Sequence, residues 1–282
     1  MDQELLPAVR DTLQSLGLRP SKLRGQNFLV SGEVSRHIVA LAALQPQLPI
    51  IEIGAGLGSL SRMLAEYPGR LELLEIEPLF VGYLAKLLSD RPQTRIIEAD
   101  ALCFNYVSHY RRQEYQIFGN IPYNITSALI EKLLKHGGNW RRMYLLLQKE
   151  AAERLVDGAK RQNGPLPLML DYFAESEILF HVPEDAFYPR PAVRSAIIAA
   201  SRKEGTVAGE DFYDLFRFIE AAFAQRRKTL ANNLCAVLGG SRGFWQELIK
   251  TAGLPEQVRA EALSLADFKR LFALFGRSGT EV

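Results

Sequence analysis

Cysteine is nearly absent. The 282-residue chain has two, Cys103 and Cys235, in unrelated contexts. They form neither a disulfide framework nor a metal-ligand spacing, which points to a reducing compartment. Charge of one sign is lacking too: 34 Lys and Arg stand against 32 Asp and Glu, a formal net charge of +2. No global basic field announces a nucleic acid, so such a partner must be met by local patches. No apolar run approaches the ~20 residues a membrane-spanning helix needs. The opening Met1-Asp2-Gln3-Glu4 lacks a signal-peptide core. Internal repeats, heptads and low-complexity tracts are missing as well. With 48% hydrophobic and 23% charged residues, the expectation is a soluble, cytoplasmic, monomeric protein with a sizeable core.

What is present is an alternation of strands and helices. Residues 4–16 place Leu5, Leu6, Val9, Leu13 and Leu16 at helical spacing. Residues 19–29 read as irregular and basic, with Arg19, Lys22 and Arg24. Ser31 then caps a helix running to Leu44. Short apolar strands follow at 49–53, 71–76, 94–98, 116–118 and 143–147. Helical patterns at 59–66, 78–89, 127–135 and 149–156 punctuate them, and a Gly/Pro-rich loop at 158–167 leads to a helix ending near Phe173. Two further strands, 177–182 and 195–200, lack a helix between them and are expected antiparallel at the sheet edge. The pattern predicts an α/β, Rossmann-like fold with a mostly parallel sheet covered on both faces. After a polar boundary at 201–209 only helices remain: 211–234, long or broken, then 242–251 and 265–275. The expected division is a catalytic domain over 1–203, with a basic segment at 1–30, and a small helical domain over 204–282.

Gly54, Gly56 and Gly58 lie between a strand and a helix, where backbone can approach a nucleotide-like ligand closely. A dinucleotide fingerprint needs a third glycine where Ser59 stands. The spacing here is G-x-G-x-G, preceded by the acid Glu52. That combination suits S-adenosylmethionine (SAM) better than a nicotinamide cofactor, because SAM has no pyrophosphate and needs acids for its ammonium group and ribose. Glu75 ends the next strand and can accept both ribose hydroxyl protons. Glu77 competes with it, since residues two apart in a strand face the same way. Asp100, after the third strand, can accept from the adenine amine of the cofactor.

The stretch Gly119-Asn120-Ile121-Pro122-Tyr123-Asn124 follows the fourth strand and suits a flat aromatic amine. The Asn120 side-chain oxygen and a carbonyl next to Pro122, that of Ile121 or of Pro122, can accept both hydrogens of an exocyclic NH2. Pro122 stiffens the loop, and Tyr123 offers a ring face for a purine. Two acceptors favour a pyramidal nitrogen whose lone pair can attack an activated methyl, so positioning carries much of the catalysis and no general base is required.

Taken in order, these motifs resemble the KsgA-type small-subunit rRNA adenine dimethyltransferases. The resemblance extends over Gly25-Gln26-Asn27-Phe28-Leu29, Glu52 to Gly58, Glu75-Ile76-Glu77, Gly119 to Ile125 and Leu147-Gln148-Lys149-Glu150. It continues through the Pro-rich pattern Phe187-x-Pro189-x-Pro191-x-Val193-x-Ser195 and ends at Phe223-x-Gln225-Arg226-Arg227-Lys228-Thr229-Leu230. The last element is the most specific. The resemblance implies SAM-dependent transfer of two methyl groups to each of two adjacent adenosines near the 3′ end of small-subunit (16S) rRNA, with a role in ribosome biogenesis. It implies cofactor contacts at Asn27, Leu29, Gly54, Gly56, Glu75, Asp100 and Asn120, favours Glu75 for the ribose, and sets Phe187 against the target adenine opposite Tyr123. The chain departs from the family pattern at Ala128, at 163–167, at Asp171, and at Arg190, Ala192 and Arg194.

Basic residues occur in knots, at Arg19/Lys22/Arg24, Arg111/Arg112, Arg141/Arg142, Lys160/Arg161 and Arg226/Arg227/Lys228. The last is expected on a helix with Phe223 and Leu230 on its apolar side, so that its charges project to phosphates. No metal is expected. The partner implied is the small ribosomal subunit or its rRNA.

Overall fold

The computed structural model describes residues 4–21, 25–161 and 164–278, the side chains of 157–161 and 277–278 excepted. Lys22, Arg24 and Asn163 therefore lie outside the described residues, as do the side chains of Lys160 and Arg161.

The first unit comprises the chain through Ala152 together with Ser176–Arg202. A helix, α1 (Leu6–Ser15), starts with Pro in its first turn and buries Val9 and Leu13. Phe28–Leu29 forms β1. Ser31 accepts from the Val34 amide and so caps α2 (Gly32–Leu41), as its residue type predicts. The βα alternation follows as β2 (Ile50–Ile53), α3 (Ser61–Leu64), β3 (Leu71–Glu75), α4 (Pro78–Leu87), β4 (Thr94–Glu98), α5 (Tyr106–Tyr110), β5 (Tyr115–Asn120), α6 (Thr126–His136) and β6 (Trp140–Gln148). Among the described residues, the one α-helix absent from the sequence reading is α5. It is a single turn capped by Asn105 and too short to display a helical period.

Seven strands form one sheet in the order β4-β3-β2-β5-β6-β9-β7, where β7 is Ala174–Val182 and β9 is Ser195–Arg202. The β2/β3, β3/β4, β2/β5 and β5/β6 pairs are parallel, and β9 runs antiparallel to β6. The late pair takes the sheet edge as expected, with β7 outermost. β9 lies one strand in, because its inner stretch Ser195–Ala200 is apolar or small and buried throughout, which suits a strand covered on both faces. A separate two-stranded ribbon pairs β1 antiparallel with β8 (Phe187–Tyr188).

The strand order reverses at β2. The chain winds outward through β3 and β4, then returns to β5 on the other side, with Ile53 opposite Gly119. A crevice opens at such a reversal, beyond the carboxyl ends of the two diverging strands.

The second unit comprises Glu153–Glu175 and the chain from Lys203 onward. The boundary expected at 203/204 falls at Arg202/Lys203, but the earlier segment clusters with the helices as well. The unit holds most of α7 (Lys149–Arg161), all of α8 (Pro165–Phe173), and α9 (Glu210–Ala222), α10 (Leu230–Leu238), α11 (Arg242–Thr251) and α12 (Leu265–Ser278). Aromatic rings carry its packing: Tyr172 and Phe173 from α8 meet Phe212 of α9. Phe218 faces Trp245, Phe272 and Phe275. Buried rings of this size each remove large apolar area from water, which is how so short a segment closes a core. Asp171, one of the departures from the family pattern, pairs with Lys203 at 3.0 Å.

Candidate active site

The cleft at the sheet reversal has a volume of about 490 Å3, within the roughly 300–1,000 Å3 typical of small-molecule sites. Its walls are contributed by the turn before β1, the glycine loop after β2, the ends of β3 and β4, and the loop after β5. Asn27, Leu29, Gly54, Gly56, Glu75, Asp100, Asn120, Pro122 and Tyr123 all line it.

Glu75 is held by three backbone amides. Its Oε2 accepts from the Gly56 N–H at 2.8 Å, and its Oε1 from the N–H groups of Ile76 and Glu77 at 2.9 Å each. Gly56 has φ of 54° and Gly54 of 71°, so both occupy the left-handed region that side chains disfavour. That backbone path turns the Gly56 amide toward the carboxylate. Burial raises the pKa of Glu75, and the three amides offset part of the rise. Glu75 closes β3 whereas Glu77 is the residue before α4, so the strand ends between them and their shared facing is lost. Asp100 Oδ1 accepts from the Leu102 amide at 2.8 Å.

Glu52 is the most deeply buried acid of the cleft. It sits within β2, 2% exposed, and its Oε2 is buried with no hydrogen-bond partner in the protein. Burial pushes its pKa up to about 8, the nearby Ser61 hydroxyl pulls it down in part, and the Glu75 charge adds to the rise. An orphaned carboxylate oxygen in a cleft wall is expensive to leave unpaired, and a cationic ligand group would satisfy it.

The loop after β5 is tied down at several points. Asn120 Nδ2 donates to the Asn27 backbone carbonyl at 3.0 Å, and the Ile121 amide donates to the Leu146 carbonyl at 3.2 Å. The Pro122 carbonyl accepts from the Ile125 amide at 3.1 Å and from Thr126 Oγ1 at 3.2 Å, which starts α6. The Tyr123 hydroxyl lies 2.9 Å from Ser195 Oγ.

One sequence expectation is corrected, the helix under Arg226–Lys228, and Phe187 is found packed behind the cleft wall. Phe187 does not line the cleft: it is 2% exposed and belongs to the main core cluster with Leu29, Val182 and Ala186. As the β-partner of Leu29 it backs the cleft wall, because β8 turns its side chain to the sheet. Arg226, Arg227 and Lys228 are not on a helix. The region 211–234 breaks after Ala222, and the three lie exposed in the turn before α10. Buried Asn233 explains the break: its Nδ2 donates to the Ala222 and Gln225 carbonyls at 2.7 and 3.1 Å, replacing the helical partners those groups lose. Arg226 also pairs with Glu261 at 3.3 Å.

Two serines had no structural role assigned from the sequence. Ser59, noted there only for not being glycine, donates its hydroxyl to the Leu29 carbonyl at 2.6 Å and joins the glycine loop to the β1 segment. Ser195 reaches Tyr123. Neither carries a local signal, since both partners are distant in sequence.

Reversal of strand order, a glycine loop and strand-end acids around one cleft define a Rossmann-like methyltransferase fold. Among solved structures, the crystal structure of the 23S rRNA methyltransferase ErmE matches with a TM-score of 0.71 at 25% identity, over 89% of this chain and 100% of that one. A dimethyladenosine transferase from Plasmodium falciparum shares the fold, with a TM-score of 0.73 at 21% identity over 88% and 97%. The sequence profile of the ribosomal RNA adenine dimethylase family matches residues 20–276, and the chain belongs to that family. It is 34% identical to the Ribosomal RNA small subunit methyltransferase A of Pelotomaculum thermopropionicum over 96% of each chain. It is 36% identical to the protein of the same name from Desulfitobacterium hafniense, over 90% of this chain and 91% of that one.

Proposed function

We propose that the chain dimethylates the 6-amino groups of two adjacent adenosines near the 3′ end of small-subunit rRNA, with SAM as methyl donor, in the cytoplasm during small-subunit biogenesis. The observation that carries this reading is the fixed amide of Asn120. Its nitrogen is committed to Asn27, which leaves the side-chain oxygen to accept from an amine in the cleft. The Pro122 carbonyl is already engaged by two donors, which favours the Ile121 carbonyl as the second acceptor.

SAM fits the residues present, and when bound it supplies a methyl group already activated by the sulfonium charge. In this reading the orphaned oxygen of Glu52 receives the ammonium and Glu75 the ribose hydroxyls. Asp100 takes the adenine amine, while Asn27, Leu29, Gly54 and Gly56 shape the wall. Asn120 and Ile121 hold the target nitrogen so that its lone pair points out of the ring plane, and the nitrogen sheds its proton only after becoming cationic. No side chain has to act as base, and rate enhancement comes from orientation. Tyr123 presents the ring on which the extruded base stacks. Arg226, Arg227 and Lys228 make phosphate contacts that set register rather than read sequence. The names of the relatives and the Gln225–Leu230 element support the small subunit as substrate.

The test is labelled methyl transfer from SAM to small subunits lacking the modification, with large subunits as a control and mapping of the modified base. Label confined to adjacent adenosines near the 3′ end of the small-subunit rRNA is the expected result. Label on the large subunit alone, or none, refutes the reading.

A further inference from the structure

The loop that carries Tyr123 has a tie with no part in the scheme above. Tyr123 and Ser195 are 72 residues apart in sequence, yet their hydroxyl oxygens lie 2.9 Å apart. Ser195 is 1% exposed. It opens β9 directly opposite Gln148, the last residue of β6, and the Lys149 amide donates to the Arg194 carbonyl beside it at 2.9 Å. The Ser195 backbone is therefore fixed against the end of β6. Tyr123 instead belongs to the turn between β5 and α6, where a ring is free to rotate about its side-chain torsions unless its far end is held. Burial raises the pKa of the Tyr123 phenol and the Ser195 hydroxyl draws it back in part. Ser195 itself does not line the cleft.

We propose that Ser195 is a positioning residue for methyl transfer: its hydroxyl holds the Tyr123 ring in the plane on which the target adenine stacks. This rests on the adenine-methyltransferase reading above and assigns a role to the serine that closes the Pro-rich pattern. The bond ties the target clamp to the sheet strand that follows the Pro-rich loop. A ring held at its hydroxyl presents one face to the cleft; a ring released from it samples others, and fewer bound adenines are aligned for attack. A neutral hydrogen bond contributes about 0.5–1.5 kcal/mol net, so its loss corresponds to a rate reduction of roughly two- to tenfold.

The experiment compares wild type, Ser195→Ala, Tyr123→Phe and the double variant on small subunits lacking the modification, with SAM affinity measured by calorimetry. Each single variant is expected to lower kcat by roughly three- to tenfold with SAM affinity unchanged, the size of one lost hydrogen bond. The double variant is expected to be no slower than the worse single, because both remove the same interaction. Ser195→Thr, which keeps the hydroxyl, is expected to recover most of the rate. A substrate carrying a fluorescent adenine analogue at the target position should be less quenched in the bound complexes of the two single variants. Wild-type kcat in Ser195→Ala, or losses that multiply in the double variant, overturns the proposal. If Ser195→Ala does not fold, Tyr123→Phe decides alone, and wild-type kcat there overturns it. A wild type inactive on small subunits refutes the parent reading and this one with it, whereas an active wild type with an indifferent Ser195 sinks only this one.

Discussion

The Asn120 side-chain amide donates to the Asn27 backbone carbonyl at 3.0 Å, across 93 residues of sequence. One bond thereby joins the segment before β1 to the loop after β5, and it sets which end of the amide faces the cleft. Because the partner is a backbone carbonyl, the amide cannot flip without losing a donor–acceptor match. In the proposed reading, the acceptor for an amine is thus built before any substrate arrives, which is the kind of preorganisation that lowers a barrier rather than merely tightening binding.

Removing that acceptor should be felt in the chemical step. Asn120→Ala is expected to reduce kcat by about 10²-fold or more, the scale seen when one preorganised hydrogen-bonding group is deleted, with SAM binding still measurable. Single-turnover methylation alongside calorimetric titration checks this, and near-normal transfer by the variant would contradict the proposed clamp.

Glu52 makes the protein sensitive to pH. Its pKa is raised from 4.5 to about 8, so the folded protein keeps this proton to higher pH than the unfolded chain does. The contribution to stability is complete below 4.5 and is lost as pH rises toward 8. Glu52→Gln, which stays neutral, should flatten the Tm profile across that window. In wild type, a cationic ligand group that requires ionised Glu52 should release a proton on binding below pH 8. Calorimetry in buffers of different ionisation enthalpy reads the proton; parallel Tm profiles for the two proteins would refute the assignment.

The exposed turn Arg226-Arg227-Lys228 is the proposed phosphate contact. Replacing all three by Ala should weaken binding to assembling small subunits and make the log–log salt dependence shallower by roughly two to three units, in line with about one released counterion per lost contact. Filter binding over a salt series measures it. Unchanged affinity and slope would remove these residues from the interface.

Asn233 holds that turn from beneath. Asn233→Ala would leave the Ala222 carbonyl without its donor and the Gln225 carbonyl with only the Lys228 amide, and is expected to destabilise the helical unit by about 1–3 kcal/mol, the cost of an unsatisfied buried polar group. Denaturant melts give the value. Wild-type stability would mean that water satisfies the Ala222 carbonyl.

Much of the site is readable along the chain because its determinants are local. The glycine triplet, the acids Glu75 and Asp100, and the Asn120–Tyr123 loop each sit at the end of a strand whose apolar run is plain in the sequence. In a parallel sheet the carboxyl ends fall on one side, so position along the chain already implies proximity in space. The break after Ala222 was not readable: the apolar residues keep helical spacing, and only a buried amide eleven residues on ends the helix there. The packing of Phe187 was not readable for a related reason. Motif position says which residue is near the cleft, whereas the pairing of β8 with β1 decides which way its ring points.

By itself, then, the sequence determined the fold class, the family and the positions of the glycine loop and of the Asn120–Tyr123 loop at strand ends, since period, turn chemistry and motif spacing are properties of neighbouring residues. Only the tertiary structure decided that β2 and β5 lie side by side at the strand-order reversal, and that Glu52 is buried with an unpaired oxygen. It alone revealed that Asn27, Ser59 and Ser195 hold the loops that line the cleft. Those relations are bonds and burial between residues far apart in the chain, and no local pattern encodes a partner that folding has yet to bring near.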